Sequence, residues 1–359
     1  MSVTPLDATQ DVVSLTEAIC NISSVSGSER ALADAIEVVL RAQSHLTVLR
    51  DGDALVARTS LGRDSRVVIA GHIDVVPIAN NLPVRREVID GEPSLWGRGT
   101  VDMKGGVAVQ VKLACELVSP NVDVTWVFYD HEEVDASLNG LGRLSRNHPE
   151  LLEADFAVLC EPTAAVIEGG CNGTMRVVVS SAGVKAHSAR PWMGKNAIHG
   201  LADVLARLER NQPDTVTVDG LDYRESLNAV MISGGIATNV IPDLGTVTVN
   251  YRFAPSKSLA DAEQYLRSFF DGFELEVTDA SAGARPGLDL PAAKAFVESI
   301  GVAARPKYGW TDVARFSALG VPAVNYGPGD PNKAHADDES VPVAQIEACF
   351  AGLRNWLTK

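Results

Sequence analysis

Apolar positions recur along the chain with two different periods, and their alternation predicts an α/β fold. Short continuous apolar runs, as at 67–70 and 156–160, predict buried strands, whereas apolar residues three or four positions apart, as at 105–118 and 343–357, predict helices. Strand and helix patterns alternate over residues 1–173, which is typical of a sheet flanked by helices. The other elements predicted for this sheet are helices at 11–21 and 32–40 and strands at 46–50, 54–58, 122–129 and 323–326.

The order of elements changes after residue 173. The patterns there predict strands at 175–181, 230–237 and 246–253 and helices at 196–210 and 260–270. These five elements fit the β-α-β-β-α-β order of a ferredoxin-like α+β domain, which we expect to be inserted into the first domain. The run Gly-Ala-Arg-Pro-Gly at 283–287 is a plausible return point. We therefore expect one domain at 1–173 and 284–359, with an inserted domain at 174–283.

Composition and charge narrow the class of protein. The chain has 359 residues and a formal net charge of −15, which argues against nucleic acid or an anionic membrane surface as the partner. The first ten residues are polar and do not resemble a signal peptide, and no apolar run reaches the roughly 18 residues that a membrane span requires. The five cysteines are scattered, which is typical of a reduced, cytoplasmic protein.

Polar residues that could bind a metal follow several of the predicted strands. In open α/β sheets the ligand lies outside the carboxyl ends of the strands, so these side chains can converge on one crevice. Imidazoles and carboxylates without a thiolate suit zinc in nitrogen and oxygen coordination. Taken singly, each acid or histidine is more simply a solvated surface residue, and only their joint placement indicates a site. The candidates are His72, Asp74, Asp102, Glu132, Glu133, Glu161 and His335.

Two local patterns refine the candidate site. In the His72-x-Asp74 pattern alternate strand residues share a face, so the Asp74 carboxylate can accept the second N–H of a metal-bound His72. If two metals lie about 3.5–4 Å apart, one carboxylate bridges them. One glutamate of the Glu132-Glu133 pair can then stay off the metals and act as a general base.

The motifs together resemble the dinuclear zinc aminoacylase/carboxypeptidase family over essentially the whole chain. They are Gly71-His72-Ile73-Asp74-Val75-Val76-Pro77, Gly97-Arg98-Gly99-Thr100-Val101-Asp102-Met103-Lys104-Gly105, Glu132-Glu133, Glu161-Pro162-Thr163 and the glycine-rich loop before His335. The resemblance implies a zinc-exopeptidase-like catalytic domain with a mixed sheet flanked by helices. It also implies an inserted domain that forms a homodimer, and two zinc ions per subunit, for which Co²⁺ or Mn²⁺ can substitute.

The resemblance also implies a role for each site residue. Asp102 bridges the two metals, His72 and Glu161 complete one metal site, and Glu133 and His335 complete the other. Glu132 is the general base, and Asp74 orients His72. His187 reaches the active site of the partner subunit and stabilises the oxyanion. Arg252, Asn239 and Thr311 match positions that hold substrate carboxylate and amide groups, whereas Arg190 either grips a further carboxylate or lies on the surface.

The reaction implied is hydrolysis of an N-acyl amino acid that carries a succinyl group. Other activities on the same scaffold stay open, namely deacetylation of acetylornithine and carboxypeptidase or dipeptidase activity. A binding or adaptor protein without metal is a further alternative. A serine hydrolase is disfavoured because no Gly-x-Ser-x-Gly motif is present, and a nucleotide enzyme because there is no phosphate-binding glycine loop.

Overall fold

The computed structural model describes residues 5–359, so the first four residues of the polar N-terminal stretch lie outside the described residues. The helices are α1 Val12–Asn21, α2 Arg30–Arg41, α3 Lys104–Glu116, α4 Gly140–Asn147, α5 Pro149–Leu152, α6 Ala197–Gly200, α7 Ala202–Arg210, α8 Leu259–Phe269, α9 Pro291–Ile300, α10 Val313–Ala318 and α11 Val343–Thr358. The strands are β1 Thr47–Asp51, β2 Ala54–Arg58, β3 Arg66–His72, β4 Arg85–Ile89, β5 Glu92–Trp96, β6 Asp123–Tyr129, β7 Phe156–Leu159, β8 Glu168–Gly169, β9 Gly173–Ala182, β10 Ala186–His187, β11 Thr215–Val218, β12 Leu221–Arg224, β13 Ser226–Gly234, β14 Val240–Ile241, β15 Leu244–Phe253, β16 Glu274–Ser281, β17 Arg305–Pro306, β18 Ala323–Asn325 and β19 Ser340–Pro342.

The chain divides into two compact units. Unit 1 contains the residues up to Gly169 together with Gly287–Arg305 and Arg315–Lys359, and unit 2 contains Gly170–Pro286 and Pro306–Ala314. Residues 306–314 fall within the predicted first domain. The structure groups this segment with unit 2 because its backbone and side chains bond there: Lys307 O accepts from Asn172 N (3.2 Å), and Trp310 Nε1 donates to Ala282 O (3.0 Å).

Unit 1 is built on a mixed sheet, as the sequence predicted. The strand order is β1-β2-β6-β3-β7-β18-β8-β17, and β6, β3, β7 and β18 run parallel to one another. All seven residues of β6 are buried, because the strand lies between β2 and β3 in the middle of the sheet. Apolar residues of α1, α2, α3 and α11 join those of the sheet in one large core.

Unit 2 contains a four-stranded antiparallel sheet in the order β13-β15-β9-β16. With α7 after β9 and α8 after β15, the main elements follow the predicted β-α-β-β-α-β order. Along β9 and β15 every second residue is buried, including Val177, Val179, Val247 and Val249, and these pack with Val204 of α7 and Leu266 of α8. Helix α8 begins with a capping box, in which Ser258 and Asp261 each bond the other's backbone N–H.

Several parts of the fold were not predicted from the sequence. They include a separate three-stranded sheet in the order β19-β5-β4, the β11–β12 hairpin, strand β16 and helices α4 and α9. Strand β4 is mostly exposed and rich in charge, so it lacks the apolar alternation by which a strand is recognised. Within residues 5–359, no helix is both long enough and apolar enough to cross a membrane.

Candidate metal centre

The parallel strands of unit 1 bring the predicted ligands to one edge of the sheet. Because these strands point the same way, the segments that follow them lie side by side. His72 is the last residue of β3, Glu132 and Glu133 follow β6, and Glu161 follows β7. The segment after β18 leads through a short 3₁₀ helix, Pro331–Lys333, to His335.

Asp102 lies between the two histidines. Its Oδ1 is 3.0 Å from His72 Nε2, and its Oδ2 is 3.4 Å from His335 Nε2. His335 Nε2 is also 2.9 Å from Glu133 Oε2. Each carboxylate oxygen of Asp102 therefore faces a different imidazole, which is the arrangement that a carboxylate bridging two cations requires.

Within residues 5–359, three overlapping groups of side chains could each hold a metal ion. Within each group one ligand atom per residue lies within 4.8 Å of the others. The groups are His72, Asp102 and Glu161; Asp102, Glu133 and His335; and His72, Glu132 and Glu133. The first two share only Asp102, so these residues fit two adjacent divalent cations with nitrogen and oxygen ligands.

The charges in this cluster shift the pKa of its histidines. Hydrogen bonds to Asp102 and Glu133 raise the pKa of His335 to about 10. Burial alone would lower the pKa of His72, but hydrogen bonds to Asp102 and Asp74 raise it well above 6.5. Since a metal ligand must be a neutral imidazole, binding of a cation here displaces protons.

The backbone of His335 adopts φ +64°, a left-handed conformation that is uncommon outside glycine. Such strain costs on the order of 1–3 kcal/mol and persists where the surrounding structure enforces it. It is found here in a residue whose side chain contacts two carboxylates.

Asp74 holds both His72 and the Glu132-Glu133 segment. His72 Nδ1 is 3.0 Å from the backbone O of Asp74 and 3.5 Å from its carboxylate, so the predicted contact through the side chain is the longer one. The carboxylate instead accepts the backbone N–H groups of Glu132 (3.0 Å) and Glu133 (3.1 Å). Burial acts to raise the pKa of Asp74, but its hydrogen bonds, foremost with His72, lower it to about 2.

The loop that carries Asp102 is fixed by a buried ion pair that the sequence analysis did not single out. Glu339 Oε1 accepts the N–H groups of Val101 (2.9 Å) and Asp102 (3.1 Å). Glu339 Oε2 accepts from Arg98 Nη1 at 2.8 Å, and both side chains are almost fully buried. Arg98 lies within the family motif at 97–105. No local pattern marks Glu339, which is far away from it in sequence.

The sequence Ser26-Gly27-Ser28-Glu29 before helix α2 has the spacing of a capping box, but it does not form one in the structure. Helix α2 begins at Arg30 with Glu29 as its N-cap, and the Glu29 side chain makes no capping bond. Ser26 Oγ donates to Asp74 Oδ2 at 2.7 Å, and Glu29 Oε1 accepts from Gly27 N at 2.9 Å. Both side chains are therefore directed towards the site.

Two glycines allow other segments to approach the end of β7, where Glu161 is located. A Cβ atom at Gly106 of α3, or at Gly327 in the loop after β18, would lie 2.2 Å from the backbone O of Cys160. No larger residue fits at either position, which explains the glycines in these motifs.

The remaining predicted site residues lie in unit 2. His187 is in β10, which pairs with β14, and Asn239 O accepts from Ser188 N at 2.9 Å, so His187, Asn239 and Arg190 are neighbours. Arg252 of β15 donates from Nε to Asn250 Oδ1 at 3.1 Å. Thr311 is buried in the segment that unit 2 gains from 306–314.

The chain is similar to known proteins over nearly its whole length. The sequence profile of peptidase family M20/M25/M40 matches residues 68–359. The chain is 54% identical over 355 residues, covering 98% of it and 99% of the relative, to the Mycobacterium tuberculosis protein named "Putative succinyl-diaminopimelate desuccinylase DapE". It is 44% identical over 365 residues, covering 99% and 98%, to succinyl-diaminopimelate desuccinylase of Corynebacterium glutamicum.

A solved structure shows the same fold at low sequence identity. The Bacillus subtilis YXEP protein, described as a dinuclear metal-binding peptidase from the M20 family, superposes with a TM-score of 0.70. The two chains are 15% identical, and the match covers 96% of each.

Proposed function

This chain belongs to peptidase family M20/M25/M40, and we propose on that basis that it is a succinyl-diaminopimelate desuccinylase. The reaction is hydrolysis of the amide of N-succinyl-LL-2,6-diaminopimelate to succinate and LL-diaminopimelate, a precursor of lysine and of the cell wall. Identity above 40% over nearly the whole chain to relatives with this name supports the substrate.

The observation that carries the chemistry is the position of Asp102, with one carboxylate oxygen towards each of two imidazoles. In the proposal His72 and Glu161 hold one zinc ion, Glu133 and His335 hold the other, and Asp102 bridges them. Co²⁺ or Mn²⁺ can replace zinc in such a ligand set. When bound, the metals supply Lewis acidity, which polarises the substrate carbonyl and lowers the pKa of water.

Glu132 is the proposed general base. Its backbone is fixed by Asp74, and its side chain is not needed in either of the two ligand sets that share Asp102. It takes a proton from the attacking water and delivers it to the amine that leaves when the amide bond breaks. Transfer by a positioned carboxylate contributes typically about 10²–10⁴ in rate.

His187 is the proposed oxyanion donor. Its Nδ1 accepts the N–H of Ala189 at 3.1 Å, so the neutral imidazole carries its proton on Nε2. Nε2 is then a hydrogen-bond donor, as stabilisation of a tetrahedral oxyanion requires. This role is carried over from the family resemblance, and the hydrogen bond to Ala189 supports it.

Arg252, Asn239, Thr311 and Arg190 are the proposed substrate contacts. Among the described residues, Arg252 makes no ion pair, and its burial lowers its pKa. A partly buried guanidinium without an acid partner fits a substrate carboxylate. The site thus takes a small N-acyl amino acid. We also propose that the enzyme is cytoplasmic, because five free cysteines are typical of a reducing compartment.

A homodimer through unit 2 completes the proposal. Strand β13 is at the edge of its sheet and exposes Val230, Met231 and Ile232 by 53%, 70% and 58%. An exposed apolar edge strand is a ready site for pairing with a second copy, which would bury these side chains.

The dimer and the role of His187 share one test. Glu132→Gln and His187→Ala proteins are each purified and assayed alone, then mixed under conditions in which subunits exchange. If His187 acts in the partner's site, each mixed dimer regains one intact site and activity rises above both parents. Activity equal to the mean of the parents would place His187 in the site of its own subunit.

The substrate is tested with a panel of N-acyl amino acids. The zinc-loaded protein is assayed with succinyl-diaminopimelate, acetylornithine and dipeptides, with Glu132→Gln as the background control. We expect the highest kcat/KM for succinyl-diaminopimelate, at least about tenfold above the others, because a site that binds a carboxylate rejects analogues lacking it. A higher kcat/KM for acetylornithine or a dipeptide would overturn the proposed substrate and leave the hydrolase in place.

A further inference from the structure

Three successive backbone N–H groups at the proposed base are held by carboxylates from elsewhere in unit 1. Glu29 Oε1 accepts from His131 N at 3.3 Å, and Asp74 accepts from Glu132 N at 3.0 Å and Glu133 N at 3.1 Å. The backbone position of this segment therefore depends on two carboxylates. Asp74 also contacts His72, whereas Glu29 has no part in the proposed function.

The Glu29 carboxylate is itself an unusual group for a protein interior. Its side chain is 1% exposed, and its Oε2 atom has no hydrogen-bond partner among the described residues. Leaving a charged oxygen buried and unpaired destabilises the fold, so such a group calls for an explanation other than stability.

Beyond its own turn, the Glu29 side chain contacts the segment that carries the base. Its Oε1 atom is 3.4 Å from His131 Nδ1, and the same ring nitrogen is 2.7 Å from Asp130 Oδ2. His131 has φ +58°, a left-handed conformation that such contacts must enforce. Arg143 bonds the Asp130 carboxylate at 2.6 Å and so fixes the other side of His131.

The N-terminal segment before Glu29 is docked in the same place. Ser26 N donates to Val75 O at 3.1 Å, and Ser26 Oγ donates to Asp74 Oδ2 at 2.7 Å. Gly27 N donates to Glu29 Oε1, which fixes the carboxylate relative to Ser26. Glu29 thus contacts residue 131 of the short segment 131–133 directly, and Ser26 reaches residues 132 and 133 through Asp74.

We propose that Glu29, assisted by Ser26, is a positioning residue that sets the backbone of 131–133 and with it the carboxylate of Glu132. The inference rests on the proposed function, because it takes Glu132 as the base. Glu29 acts through His131 and contacts no reacting atom. Without it the segment is expected to relax from its left-handed conformation and carry Glu132 away from its working position.

The test compares Glu29→Ala and Glu29→Gln with a matched control. Glutamine keeps an oxygen that can accept the His131 N–H, so it should rescue most of what alanine loses. The control is Asp123→Asn, since Asp123 is also a buried carboxylate that accepts two backbone N–H groups, from Leu61 (2.8 Å) and Arg63 (3.0 Å). Asp123 begins β6, whereas the base follows the end of the same strand.

Three quantities are measured on the zinc-loaded proteins: amide hydrogen exchange of 131–133, zinc content, and kcat and KM. For Glu29→Ala we expect faster exchange at 131–133, unchanged zinc content, and kcat lower by about 10–100-fold with KM changed by less than about twofold. Asp123→Asn should leave kcat and the exchange of 131–133 unchanged.

Three outcomes would overturn the role of Glu29, and a fourth concerns the proposed function instead. Unchanged exchange at 131–133 in Glu29→Ala, or faster exchange with kcat within about twofold of the parent, would overturn the proposal. An equal fall of kcat in Asp123→Asn would also overturn it, by showing a global effect. If the parent protein prefers another N-acyl substrate, the proposed function fails, while the exchange result and the kcat ratio on that substrate still decide the role of Glu29.

Discussion

The Arg98–Glu339 pair offers the sharpest test of how the fold holds the metal centre. Glu339→Gln keeps the shape of the side chain and removes its charge. Arg98 is then a cation, 3% exposed, whose remaining bond is from Nη1 to Ala336 O at 3.3 Å. Breaking a buried pair by removing one partner typically costs about 3–5 kcal/mol.

A loss of this size is measurable and should leave the variant folded. Domains are stable by about 5–15 kcal/mol, so the variant should still fold. With urea m values of about 1–3 kcal/mol per molar, the expected loss lowers the urea midpoint of unit 1 by at least about 1 M. The assay is urea unfolding with a chelator present, so that metal binding does not contribute to the free energy of unfolding.

A second readout reports on the site itself. Glu339 accepts the N–H of Asp102, so the variant should also loosen the proposed bridging ligand. We expect zinc affinity, measured by competition with a chelating dye, to fall by about 10–100-fold. The neutral amide oxygen can still accept this N–H, which places the expected loss at the lower end of that range.

Two controls decide whether the buried charge is the cause. Glu37→Gln removes a carboxylate from the partly exposed Arg50 pair and should cost no more than about 1 kcal/mol. The double variant Arg98→Met/Glu339→Gln removes both charges, keeps an oxygen for the Val101 and Asp102 N–H groups, and should recover most of the stability. A Glu339→Gln protein within about 1 kcal/mol of the parent, or a double variant as unstable as the two single variants added together, would refute the reasoning.

Three further predictions concern the site and the sheet. Asp102→Ala should remove both metals, measured as zinc per subunit, whereas His335→Ala should leave one; an unchanged zinc content in Asp102→Ala would contradict the bridge. His187→Ala should lower kcat by about 10²–10³-fold with full zinc content, and a parallel loss of zinc would make the residue structural. Burial acts to raise the pKa of Asp123, but hydrogen bonds from Leu61, Thr59 and Arg63 lower it below 3.8. Near the ordinary Asp pKa the unfolded chain therefore binds more protons than the folded protein, so stability falls as the pH drops through that region. Urea midpoints between pH 3 and 6 should fall less steeply for Asp123→Asn than for the parent protein.

The periodic elements were the most predictable part of this fold. The strand predicted at 54–58 has the same bounds as β2, and the helix predicted at 11–21 corresponds to α1 with Asp11 as its N-cap. In these segments burial follows from the local pattern, because one side of the element faces the core. Strand β4 escaped prediction because it is charged and mostly exposed.

The Ser26-Glu29 pattern shows where local interpretation fails. Its spacing matches a capping box, but Ser26 bonds Asp74, and Glu29 contacts His131. Both partners are distant in sequence. Local motifs identify which residues can make a hydrogen bond, and the tertiary fold selects the partner.

The sequence by itself determined the ligand types, the strands that carry them and the family resemblance, because side-chain chemistry and apolar periodicity are local properties. Only the tertiary structure decided that Asp102 presents one oxygen to each histidine, that Glu339 holds the Asp102 loop, and that Glu29 holds the segment of the proposed base. These contacts join residues from 30 to more than 200 positions apart in the chain. Packing of the folded chain fixes such distances, and no pattern along the chain encodes them.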